Sequence, residues 1–165
     1  MIRAFFSLFL YSGMKAAFEN NPFEAVRERT DLNGLQKIRE MLALDRADEE
    51  REGINTQAVA ILKDPHILAA AVEANRRVLT PLWLELIEEG RRDGSIRTEY
   101  AKELSELLPL VNFWLMPSVF PADAEEIRHK CRFITEVLSA MGLPIIEEEM
   151  YGRAEKILGN LKEER

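Results

Sequence analysis

The sequence is poor in the residue types that carry chemistry. It holds one cysteine, Cys131, and two histidines, His66 and His129. A single cysteine forms no internal disulfide, which excludes a disulfide-stapled secreted scaffold and fits a reducing, cytoplasmic setting. The histidines lie far apart and form no H-x-x-x-H pair, whereas a metal site needs several converging ligands. One Glu-x-x-His spacing exists, Glu126 to His129, but helical-bundle metal centres use two. No metal and no cofactor are expected. Glycine is sparse, 8 residues in 165, and neither phosphate-loop spacing, G-x-x-x-x-G-K-[ST] or G-x-G-x-x-G, occurs. Cys131 lies on an apolar stripe without a histidine base on its helical face, so it reads as a small buried hydrophobe. These absences point away from an enzyme.

Positive charge is also short. Lys and Arg number 22 against 29 Asp and Glu, a net charge of −7. Such a surface repels phosphate. The best helix-turn-helix window, Phe23–Met41, contains Arg27, Arg29, Lys37 and Arg39. Yet its Leu35–Leu42 stripe reads as core, and no basic recognition helix follows. Nucleic-acid binding by this chain alone is not expected. Long apolar runs are missing too. Ala4–Tyr11 after Arg3 resembles a weak signal peptide, but the run lasts about eight residues and no small-x-small cleavage site follows. It is too short to span a bilayer. It reads as a buried helix segment or one that packs on a partner, and no membrane association is expected.

Helical periodicity is what remains, and it is nearly continuous. Leu35, Ile38, Met41 and Leu42 share one helix face after the Asp31–Gly34 turn. Arg46–Gly53 is a charged stretch, and Ile54, Ala58, Ile61 and Leu62 resume the stripe. Asp64-Pro65 starts a helix, with Asp as N-cap and Pro in the first turn. Thr80-Pro81 repeats that signal, so the chain kinks there or begins a new helix. Arg91-Arg92-Asp93-Gly94 closes it, with cations at the C-terminus and Gly94 in a left-handed cap. Thr98 is placed to cap the next helix, and Pro109 to kink it. Ile127, Cys131, Ile134, Leu138 and Met141 follow at steps of four, three, four and three, a coiled-coil-like seam. Gly142-Leu143-Pro144 is a stop, and a last helix is expected to about Leu161. No segment alternates with period two. The expectation is an all-α antiparallel bundle of about six to nine helices, one domain over 1–165, with an apolar and linker region at 1–30 and a final helix at 144–162.

Asn75 and Asn112 lie on otherwise apolar helices, and His66 lies near a helix start. A few polar groups in an apolar lining are what a small-molecule pocket needs, although each alone is more simply satisfied by backbone or solvent. With Trp83 and Met116 as large soft neighbours, His66, Asn75, Trp83, Asn112 and Met116 form the candidate ligand-binding set.

Leu86-Ile87-Glu88-Glu89-Gly90-Arg91-Arg92-Asp93-Gly94-Ser95-Ile96-Arg97 resembles the LI-x-x-G-x-x-x-G-x-I/F-R segment of TetR/AcrR-type transcriptional regulators. The likeness extends over roughly 14–142. It implies the TetR-like C-terminal fold, a homodimer and an internal cavity for a small, often apolar effector. It also implies dimerisation helices over 98–142, which would set Leu104, Leu108, Val111, Ile127, Cys131, Ile134 and Leu138 at the mate's surface. The family's helix-turn-helix has no counterpart in these residues, so a sensing domain without its reading head is expected. The alternative is a helical protein–protein interaction module without a small-molecule ligand.

Overall fold

The computed structural model of the chain describes residues 22–44 and 63–146. Five helices occur there: α1 Pro22–Arg27, α2 Gly34–Leu44, α3 Pro65–Asp93, α4 Ala101–Leu115 and α5 Ala124–Ala140. No strand occurs among the described residues, so the chain is all-α there. Expectations for Met1–Tyr11, Arg46–Gly53, Ile54–Leu62 and residues 147–162 lie outside the described residues. Pro144–Ile146 are described and are not helical.

Local chemistry sets both ends of α3 and of α5. Asp64 accepts a hydrogen bond from the His66 backbone N–H at 2.8 Å to start α3. Gly94 ends it at φ 81°, a left-handed conformation that costs glycine little. Asp123 and Glu126 form a reciprocal capping box at the start of α5. At its end Leu143 N–H donates to Leu138 C=O at 2.8 Å and Gly142 N–H to Ser139 C=O at 3.0 Å, a Schellman motif with Gly142 at φ 80°. Thr98 acts differently from expectation: Tyr100 is the N-cap of α4, and the Thr98 hydroxyl accepts from its N–H at 3.1 Å. It shapes the turn before the helix.

No new helix begins at Thr80-Pro81. α3 runs unbroken through Pro81, and α4 through Pro109. Proline removes one N–H from the helical ladder. At Pro81 the loss is mild, because Pro81 and Arg77, whose carbonyl is freed, are both exposed to water. Core contacts at Leu79 and Trp83 hold the helix on either side.

α3 and α4, joined by the short 94–100 turn, form an antiparallel hairpin and the most extensive helix pair. α2 crosses the second half of α3 and buries Ile38, Met41 and Leu42; α5 adds Ile127, Cys131, Ile134 and Leu138 to the same core.

Two close approaches set this packing. Gly34, which opens α2, lies against the Gly90 backbone of α3, and Ile96 covers Gly90 from the other side. The α2 N-terminus is capped from α3's exit: Asp93 accepts from Gly34 N–H at 2.7 Å and the Ser95 hydroxyl from Leu35 N–H at 3.2 Å. Burial works to raise the Asp93 pKa, but the hydrogen bonds from Ser95 and Gly34 outweigh it and hold the carboxyl below its usual range. Stability from this cap is therefore complete above the ordinary carboxylate range and is lost as pH falls through the depressed value. Replacing Gly34 by alanine is expected to push α2 off α3, because a methyl there meets backbone that cannot rotate away. The cost is about 1–3 kcal/mol or somewhat more, read as a lower urea midpoint; an unchanged midpoint would contradict the helix crossing.

Candidate functional site

The five candidate ligand residues do not share one fate. His66 is exposed at the first turn of α3. Asn75 and Asn112 are each 1% exposed, and Trp83 and Met116 are fully buried.

The hairpin register relates the two asparagines. Phe113 of α4 and Met116, its C-cap, pack with Leu68, Ala71 and Val72 of α3. One helical turn onward along α3 from Ala71–Val72 comes Asn75; one turn back along α4 from Met116 comes Asn112. In an antiparallel pair those steps run the same way, so both carboxamides stand at one level of the seam. Trp83 lies on the same face of α3 as Asn75, two turns further along, about 12 Å by the helical rise.

Their hydrogen bonding is the unusual feature. Five polar or charged residues are buried among the described residues: Lys37, Asn75, Thr98, Ser105 and Asn112. Lys37 donates to Glu89 at 2.7 Å and to the Arg27 carbonyl at 2.9 Å. Ser105 donates to the Lys102 carbonyl at 2.7 Å, and Thr98 accepts from Tyr100. In contrast, Asn75 Nδ2 and Oδ1, Asn112 Nδ2 and Oδ1, Trp83 Nε1 and Ser118 Oγ have no partner. Buried polar groups are paired in the great majority of cases, so four orphaned carboxamide atoms at one level single out this part of the seam. Among the described residues no charged side chain other than Lys37 is buried. Glu73 and Arg76 point outward and pair with each other at 2.7 Å, and Lys37 belongs to the α1–α2–α3 junction.

The other candidates resolve on structural grounds. Burial pushes the Cys131 thiol up to about 11, so it stays protonated and unreactive at neutral pH. Glu126, the first residue of the Glu-x-x-His spacing, serves the helix cap: its carboxylate accepts from Asp123 N–H at 2.8 Å. No cluster of three metal-ligating side chains occurs among the described residues. An open cleft lies at the start of α5 beside Asp123, Glu126 and His129, but the helix N–H groups there are already capped by Asp123. Within the described residues no helix is long and apolar enough to cross a membrane.

The residues expected at a mate's surface need correction. Leu104, Leu108, Val111, Ile127, Cys131, Ile134 and Leu138 are all buried inside the single protomer. They belong to the protomer's hydrophobic core, and none presents a free face. Sequence reasoning missed the outer face of the same helices. Leu107 and Leu110 of α4 are exposed, as is Phe133 of α5; Met141, expected as the last member of the α5 seam, is exposed as well. Trp114 joins the two helices, its ring meeting Phe133 edge-on at 5.9 Å, while Lys130 lies 5.3 Å over the Trp114 ring. Leu107, Leu110 and Trp114 recur at i, i+3 and i+7, a signal for a second stripe that one sequence left undistinguished from the first. No family model, no curated protein and no solved structure matches the chain.

Proposed function

We propose that the chain is the ligand-sensing and dimerisation domain of a TetR-like, cytoplasmic transcriptional regulator, binding a small, largely apolar effector in the seam between α3 and α4. The observation that carries this reading is the pair of buried carboxamides, Asn75 and Asn112, without hydrogen-bond partners. An amide removed from water and left unpaired costs roughly 1–3 kcal/mol by mutational measures. A seam that holds two of them at one level keeps binding capacity for a guest. The Leu86–Arg97 resemblance supports the same architecture, and the structural roles of Gly90, Gly94 and Ile96 explain why a helix exit of this kind needs those residues.

A second copy of the chain supplies the dimer in this proposal. Its docking face is the outer stripe of Leu107, Leu110, Trp114 and Phe133, exposed or half-exposed apolar groups that a mate would cover. An effector favouring one orientation of the two subunits would shift their equilibrium by its difference in affinity for the two states.

Thermal unfolding against a panel of small apolar compounds, with sedimentation at micromolar concentration, tests the proposal. A binder at a hundred times its Kd stabilises by about 2.7 kcal/mol. At least one stabilising compound and a dimeric boundary are expected. An inert panel together with a clean monomer would sink the reading and favour a helical protein-interaction module.

A further inference from the structure

We infer that the effector is uncharged and carries a hydrogen-bond donor and acceptor on one group, as a carboxamide or lactam does, with apolar substituents on both sides. This rests on the sensing role proposed above and names the class of ligand. Each orphaned carboxamide offers both functions: Nδ2 donates and Oδ1 accepts. A guest that only accepts would leave both Oδ1 atoms buried and unpaired; one that only donates would strand both Nδ2 groups. Unpaired buried groups are what make such sites selective.

Charge is disfavoured for a separate reason. A carboxylate or ammonium entering the seam would need a partner of opposite sign. The nearest charged side chains on α3, Glu73, Arg76 and Arg77, are exposed, and Lys37 is the one buried charge among the described residues, already paired with Glu89. The flanks are apolar: Val72 and Met116 on one side of the amide level, Leu79 and Leu108 on the other.

Calorimetric titration of the full chain with four probes of similar length tests this. They are N-propylbutanamide, propyl butanoate, octanoate and octylamine. The amide is expected to bind at least tenfold tighter than the ester, which lacks the donor, and than either ion. In Asn112→Leu, checked for folding by circular dichroism, the amide and ester affinities should converge; Asn75→Leu provides the same comparison if the first variant does not fold. Equal amide and ester affinities in the unaltered chain overturn the inference and leave the sensing role standing. So does tighter binding of either ion, or a binder from the apolar panel with none among the four probes. If neither the panel nor the probes bind, the sensing role falls as well.

Discussion

Ile134→Asp is expected to unfold the protomer, whereas Phe133→Asp leaves it folded and breaks the dimer proposed above. The two residues are neighbours on α5, but Ile134 is 5% exposed and Phe133 is 57% exposed. Ile134→Asp would bury a carboxylate among Leu138, Ile127 and the α3–α4 core. An unpaired buried charge costs several kcal/mol, a large part of the roughly 5–15 kcal/mol that holds a domain together. Phe133→Asp instead places its charge in water. Within the protomer it forfeits the edge-on contact with Trp114, worth about 0.5–1.5 kcal/mol beyond area burial. Circular dichroism should show helix lost in the first variant and kept in the second. Sedimentation should show Phe133→Asp as a monomer. A folded Ile134→Asp protein would contradict the placement of α5, and a Phe133→Asp protein that still dimerises would move the docking face elsewhere.

Trp83→Ala is the second large effect. Trp83 is fully buried, between α3 and the start of α4, level with Leu104 by the hairpin register. Removing a core tryptophan typically costs 3–5 kcal/mol, about 4 as a central figure, from lost burial plus the cavity left behind. The urea midpoint should fall accordingly. Trp83→Phe separates the two contributions of the side chain. It keeps most of the apolar volume and deletes an indole N–H that has no acceptor, so its cost should be well under half that of alanine. If Trp83→Phe proves as damaging as Trp83→Ala, the indole N–H has a partner and its orphaned state is wrong.

The contrast between Ile134 and Phe133 shows where sequence reading stopped. Periodicity identified an apolar seam on α5, and every member from Ile127 to Leu138 is indeed buried. The resemblance carried by Leu86–Arg97 assigned that seam to a mate, and two stripes on one helix look alike when the neighbours are unknown. Which stripe faces inward depends on how α5 rolls against the hairpin, and that is decided by residues far away in the chain. The asparagines were legible as polar positions on apolar helices. Their shared level needed the register of α3 against α4. His66 was read on the same polarity argument, but it sits in the first turn of α3, where its backbone N–H meets the Asp64 cap and its side chain meets solvent.

The sequence by itself determined that the described chain is helical and where two of its five described helices, α3 and α5, start and stop. Asp64-Pro65, Asp123 with Glu126, Gly94 and Gly142 all act within a few residues, through hydrogen bonds to adjacent backbone, so their effect is readable without a fold. Only the tertiary structure decided that Gly34 and Gly90 touch, that Asp93 caps a helix opening 59 positions earlier, and that Asn75 and Asn112 are sealed in one layer without partners. Those outcomes follow from packing between segments distant in the chain, where the energy of a contact depends on what arrives opposite it.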